Sequence, residues 1–129
     1  MKLVQVLSEA ERELVKRCLD AAVNGPFFPD WEFHALLGNT RDEVRAILAA
    51  WPNASNEEQQ RRVIINTLNN LLRYPHGEME AWNRQIRSSE DDVAAILRKL
   101  TSLVEGIPGR SGAPATMQVA TIVTQNAVF

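Results

Sequence analysis

Two histidines, His34 and His76, and one cysteine, Cys18, are the residues through which this 129-residue chain could carry out acid–base or nucleophilic chemistry. Asp30 and His34 stand at i, i+4 with Glu32 between them. On a helix that spacing lets a carboxylate orient an imidazole as a general base. Such a base needs a neighbouring nucleophile or metal, and the sequence marks neither. Asp30 is therefore expected to cap the helix that follows, and His34 to be an ordinary, partly exposed side chain. Cys18 shares an apolar stripe with Leu14 and Ala22 and is expected to be a core thiol. There is no phosphate-cradling glycine loop, nucleophile elbow or zincin motif. A single cysteine provides neither a disulfide within these residues nor a paired-thiolate metal site. The expectation is a non-enzymatic chain with no catalytic residue, no cofactor and no metal, and an enzyme built on His34 is the least favoured class.

The residues suited to binding are more numerous. Gly25–His34 holds three of the four phenylalanines and one of the three tryptophans, with Pro26 and Pro29 bracketing Phe27-Phe28. Stiff aromatic loops anchor interfaces at low entropic cost. A small helical domain also needs ring mass in its core, so these rings are expected mainly to plug the end of a bundle. Arg62, Asn66, Asn69, Asn70 and Arg73 fall within an arc of about 100° on one helix. That face can hydrogen-bond phosphates, bases or a partner's backbone, although an ordinary interhelical polar face is the plainer expectation. Acidic residues bunch at Glu57-Glu58, at Glu78 with Glu80, and at Glu90-Asp91-Asp92. Two of these groups open helices, where carboxylates complement the helix dipole. The residues expected to meet a partner are Asp30, Trp31, Glu32, Glu78 and Glu80.

The elements that must position these residues are marked by their ends. Ser8 with Glu11, Thr40 with Glu43 and Ser55 with Glu58 each fit a capping box, and Ser89 with Asp92 makes a fourth. Asn24-Gly25-Pro26, Gly38, Trp51-Pro52, Tyr74-Pro75-His76-Gly77 and Gly106 with Pro108 read as stops. Between them the apolar spacing is helical, as in Val44, Ile47, Leu48, Trp51 and in Val93, Ile96, Leu97, Leu100. Helices are predicted at about 9–24, 31–37, 41–51, 56–73, 78–86 and 90–105. The fold expected is all-α: a compact bundle of about five to six helices over residues 1–106, followed by a C-terminal tail at 107–129 that is irregular or extended. The tail contains no acidic residue, and its β-branched Val119–Thr124 favours an extended chain.

Charge and composition narrow the partners. Hydrophobic residues make up 45% and charged ones 23%, values of an ordinary globular domain rather than a disordered chain or a fibre. Fourteen basic against sixteen acidic residues leave a net charge of -2, with no global positive field for nucleic acid or anionic lipid. No apolar run approaches the roughly 18 residues of a membrane span. Met1–Leu7 is too short for a signal-peptide core, so a cytoplasmic address is expected. Glu32–Leu48 can be drawn as a helix-turn-helix about Gly38-Asn39-Thr40, with Arg41 and Arg45 toward phosphate. Asp42 and Glu43 would then point acid at the same phosphates, so DNA binding is the secondary expectation.

The run Gly25-Pro-Phe-Phe-Pro-Asp-Trp-Glu-Phe-His34, with Thr40-Arg-Asp-Glu-Val-Arg45, Trp51-Pro52 and Tyr74-Pro-His-Gly77, resembles small bacterial proteins. In size, acidity and helical single-domain character the chain resembles the immunity proteins of contact-dependent inhibition and other polymorphic toxin systems. Those proteins share no diagnostic motif, so the resemblance carries over no binding residue. It implies a role: a cytoplasmic protein that binds a cognate toxin, often a nuclease, and occludes its active site.

Overall fold

A computed structural model describes residues 3–105, without the side chains of Val4 and residues 103–105. These residues are helical with no strand: α1 Leu3–Val6, α2 Glu9–Asn24, α3 Asp30–Leu37, α4 Arg41–Ala50, α5 Glu57–Arg73, α6 Met79–Ala81 and α7 Glu90–Glu105. A π-helical turn, Trp82–Ile86, continues from α6. The break expected at Gly106–Pro108 and the tail at 107–129 lie outside the described residues.

Local chemistry starts three of the helices as their sequence requires. Ser8 and Glu11 close a reciprocal box at α2, and Thr40 and Glu43 close one at α4. Ser89 and Asp92 exchange the same pair of bonds at α7. The Glu11 and Glu43 carboxyls both lie below the ordinary carboxylate range. The leading cause is the Lys99 ammonium at Glu11 and the Thr40 backbone N–H at Glu43. At α5 the cap is Asn56 rather than Ser55, since the Asn56 side chain accepts from the Gln59 N–H. Gly38 ends α3 at φ 77°, the left-handed conformation that costs glycine least. Gly25 answers a different need. A Cβ there would lie 2.5 Å from the Ala21 carbonyl oxygen, a backbone atom of α2, so a side chain at this position would force the helix end to shift.

The apolar stripes meet in one core. Val15, Cys18, Leu19 and Ala22 of α2 are fully buried with Val44, Ile64, Leu68 and Leu71, and with Val93 and Leu100 of α7. Helix α5 packs on α7, α2, α3 and α4, and α2 also packs on the π turn. Burial raises the Cys18 thiol to about 12, so it stays a neutral core group.

The segment predicted as one regular helix at 78–86 departs from expectation. Only Met79–Ala81 is α-helical before the π turn, which ends at Arg87 with φ 57° and its N–H donating to the Trp82 carbonyl at 3.1 Å. Tertiary bonds hold this conformation. Arg17 Nε donates to the Ile86 carbonyl at 2.7 Å, and Trp82 Nε1 donates to the Ser88 carbonyl at 2.7 Å. Both Trp82 and Ile86 are buried.

Candidate protein-binding face

The phenylalanines of the 25–34 segment turn inward and its tryptophan does not. Phe27, Phe28 and Phe33 are buried, whereas Trp31 is 80% exposed. Helical phase explains the split. Phe33 and Leu37, at i and i+4, seat α3 on the core. Trp31 precedes Phe33 by two residues, about 200° around the helix, and so points to solvent.

Asp30 occupies the first position of α3 but does not cap it. Pro29 stands at the cap, and the Asp30 carboxylate instead accepts from Arg41 at 2.7 Å while remaining 94% exposed. The expected capping role is thus corrected. The carboxylate-assisted base also loses its support, because His34 is exposed and Asp30 is engaged with Arg41. The Glu32 carboxylate is half-buried and accepts from the Tyr74 hydroxyl at 2.8 Å. This bond is the leading cause that raises the Tyr74 hydroxyl above its ordinary value.

The bond from Tyr74 joins two segments 42 residues apart. Edge-on packing of the Phe27 ring against His76, with centroids 4.9 Å apart, reinforces the join. So does the tilted contact of Phe28 with Tyr74 at 5.7 Å. His76 Nδ1 accepts from the Glu78 N–H at 2.9 Å, fixing the approach to α6. Glu78 is half-buried, and Glu80 is 94% exposed with a loose ion pair to Arg84 at 3.6 Å. All five predicted residues therefore lie in two segments: Asp30-Trp31-Glu32, tied through Glu32 to Tyr74, and Glu78-Met79-Glu80, which follows the Tyr74–His76 stretch held by Phe27 and Phe28.

Sequence reasoning missed Met79. Trp31 and Met79 are the large apolar side chains that stand exposed among the described residues, Met79 at 43%. Each sits between two acidic residues. The repeated acid–apolar–acid pattern was the available signal.

The other polar features resolve as structure. Asn66 Nδ2 donates to the Leu37 carbonyl at 3.1 Å and Asn70 Nδ2 to the Leu36 carbonyl at 3.0 Å. The asparagines of α5 thus close the free carbonyls at the end of α3, as an interhelical polar face would. Arg41 donates to the carbonyls of Ala22 at 3.2 Å, Val23 at 2.7 Å and Phe28 at 3.1 Å, and lies 4.3 Å over the Phe33 ring. Arg45 is paired with Asp42. Of the two arginines considered for phosphate contact, Arg41 is thus engaged within the fold and Arg45 pairs with Asp42 on the surface of its own helix, while α3 packs on α5 and α4 packs on α2. Among the described residues no three His, Cys, Asp or Glu side chains are grouped to hold a metal ion, and no helix is long and apolar enough to cross a membrane.

The chain matches no protein-family model, no curated protein and no solved structure.

Proposed function

We propose that this chain is a protein-binding module whose Asp30–Glu32 and Glu78–Glu80 segments dock a basic protein, and that it acts as an immunity protein neutralising a cognate toxin, a nuclease by charge preference. One observation carries this reading: the exposed Trp31 and Met79 each stand between acidic residues, and the Tyr74–Glu32 bond ties the Trp31 segment to the stretch that leads into the Met79 segment. Tryptophan dominates interface hot spots, and methionine adapts to irregular partner surfaces. Acidic residues around such anchors steer a cationic partner and suppress wrong ones. A nuclease active-site cleft is cationic because it must hold phosphates, so an acidic plug with an apolar centre suits it. Occlusion of the cleft would then inhibit without any chemistry from the chain itself.

Paired affinity captures from nuclease-treated lysate of the source bacterium, with wild-type chain and the Trp31→Ala variant as baits, test the proposal. The expected result is one stoichiometric basic protein held by the wild type and lost from the variant. Capture that depends on nucleic acid, or that is equal for both baits, would refute it.

A further inference from the structure

A groove of about 220 Å³ runs between α5 and α7, and its lining is unlike the rest of this acidic chain. Ile65 and Leu72 of α5 and Ala94 and Leu97 of α7 supply its apolar lining, and Asn66, Asn69, Thr101 and the arginines Arg73 and Arg98, one from each helix, supply its polar lining. Among the described residues no aspartate or glutamate lines it. Arg73 is half-buried, and its Nε donates to Asn69 Oδ1 at 2.9 Å. That bond fixes the side chain and leaves the two terminal nitrogens without a protein acceptor among the described residues. The Arg98 guanidinium likewise has no acidic partner among them.

Two guanidiniums beside an apolar lining select a ligand with the opposite halves, one anionic and one apolar. Guanidinium nitrogens match carboxylate oxygens in pairs and charge-assisted bonds of this kind are the strong ones. The volume of about 220 Å³ lies below the range of pockets for drug-sized ligands, so the ligand it suits is a small one. We propose that the groove is a binding site for a short apolar carboxylate, with its carboxylate between Arg73 and Arg98 and its hydrocarbon on Leu72, Ala94 and Leu97. The site does not depend on the docking function proposed above.

Octanoate is the probe. Titration into the ¹⁵N-labelled full chain, followed by two-dimensional NMR, is expected to give saturable shifts confined to amides of 65–73 and 94–101. Octanol, with the chain but no charge, and acetate, with the charge but no chain, should each bind at least tenfold more weakly. The double substitution Arg73→Gln with Arg98→Gln should weaken octanoate about tenfold or more, the factor expected for losing one charge-assisted bond. Ala94→Leu adds bulk to the apolar lining while keeping both guanidiniums and a good helix former, and should weaken binding similarly. Unchanged melting of both variants would show that these losses come from the groove. No saturable response at ~10 mM octanoate, equal binding of octanol, or full binding by either variant would overturn the proposal.

Discussion

Arg41 offers the sharpest test of how this fold is held together. Its guanidinium reaches three carbonyls at 2.7 to 3.2 Å, two of them in the last turn of α2 and one in the loop that carries Phe28. In Arg41→Ala those carbonyls lose a charged donor. Hydrogen bonds to charged groups contribute about 1.5–3 kcal/mol when buried, but this side chain keeps 22% exposure and water can partly replace it, so about 1 kcal/mol for each bond is appropriate. The contact over Phe33 adds about 0.5–1 kcal/mol. The ion pair with the exposed Asp30 adds under about 0.5 kcal/mol. The variant should therefore lose about 3.5–4.5 kcal/mol in urea unfolding, with a melting point about 10–20 °C lower. Arg41→Lys keeps the charge but reaches fewer acceptors and should lose about half as much. Asp30→Asn should lose less than about 1 kcal/mol. An Arg41→Ala variant within about 1 kcal/mol of wild type would refute the assignment of Arg41 as a staple between α4 and α2, as would an Asp30→Asn cost equal to it.

The Thr67 hydroxyl is buried with no hydrogen-bond partner among the described residues, so Thr67→Val should stabilise the chain by about 1 kcal/mol in the same urea assay, where a loss would show that the hydroxyl has a partner. The Glu11 carboxyl is held low chiefly by Lys99, so its folded pKa lies below its unfolded one. The stability it contributes is full above the ordinary glutamate range and disappears as pH falls through the depressed value. Glu11→Gln should accordingly cost about 1 kcal/mol at neutral pH and nothing once the wild-type carboxyl is protonated, and a gap that stays constant with pH would contradict this. Cys18, buried and raised to about 12, should react with a thiol reagent only at the rate of unfolding, so rapid labelling of the native chain at pH 8 would contradict its place in the core.

What could be read from the chain alone was what neighbouring residues decide among themselves. A capping box needs residues three apart, and Ser8–Glu11, Thr40–Glu43 and Ser89–Asp92 formed as written. Ser55 and Asn56 are both competent caps in adjacent positions, and spacing did not choose between them. The π turn at Trp82–Ile86 is held by Arg17 reaching the Ile86 carbonyl from 69 residues away, a contact that no local pattern encodes. Asn66 and Asn70 were legible as a polar face, but their acceptors appear only once α5 crosses the end of α3. The candidate face was half legible. Asp30, Trp31, Glu32, Glu78 and Glu80 could be named, but the rings of 25–34 were expected to plug the bundle together, and the parting of Trp31 from the three phenylalanines emerges only with the phase of α3 in the fold. The Tyr74–Glu32 bond that ties the Trp31 segment to the Tyr74–His76 stretch depends on the tertiary fold. The groove between α5 and α7 was wholly hidden, since Arg73 and Arg98 belong to helices whose pairing the sequence does not state.

Acidic docking leaves a kinetic signature. With the partner captured by the wild-type chain, association should be fast at low salt and slow steeply as ionic strength rises. Reversing Glu78 and Glu80 to lysine should lower the association rate at low salt and flatten that dependence, leaving dissociation nearly unchanged. An association rate and salt dependence equal to the wild type's would contradict the claim that this acidic, tryptophan-bearing face is where the protein binds.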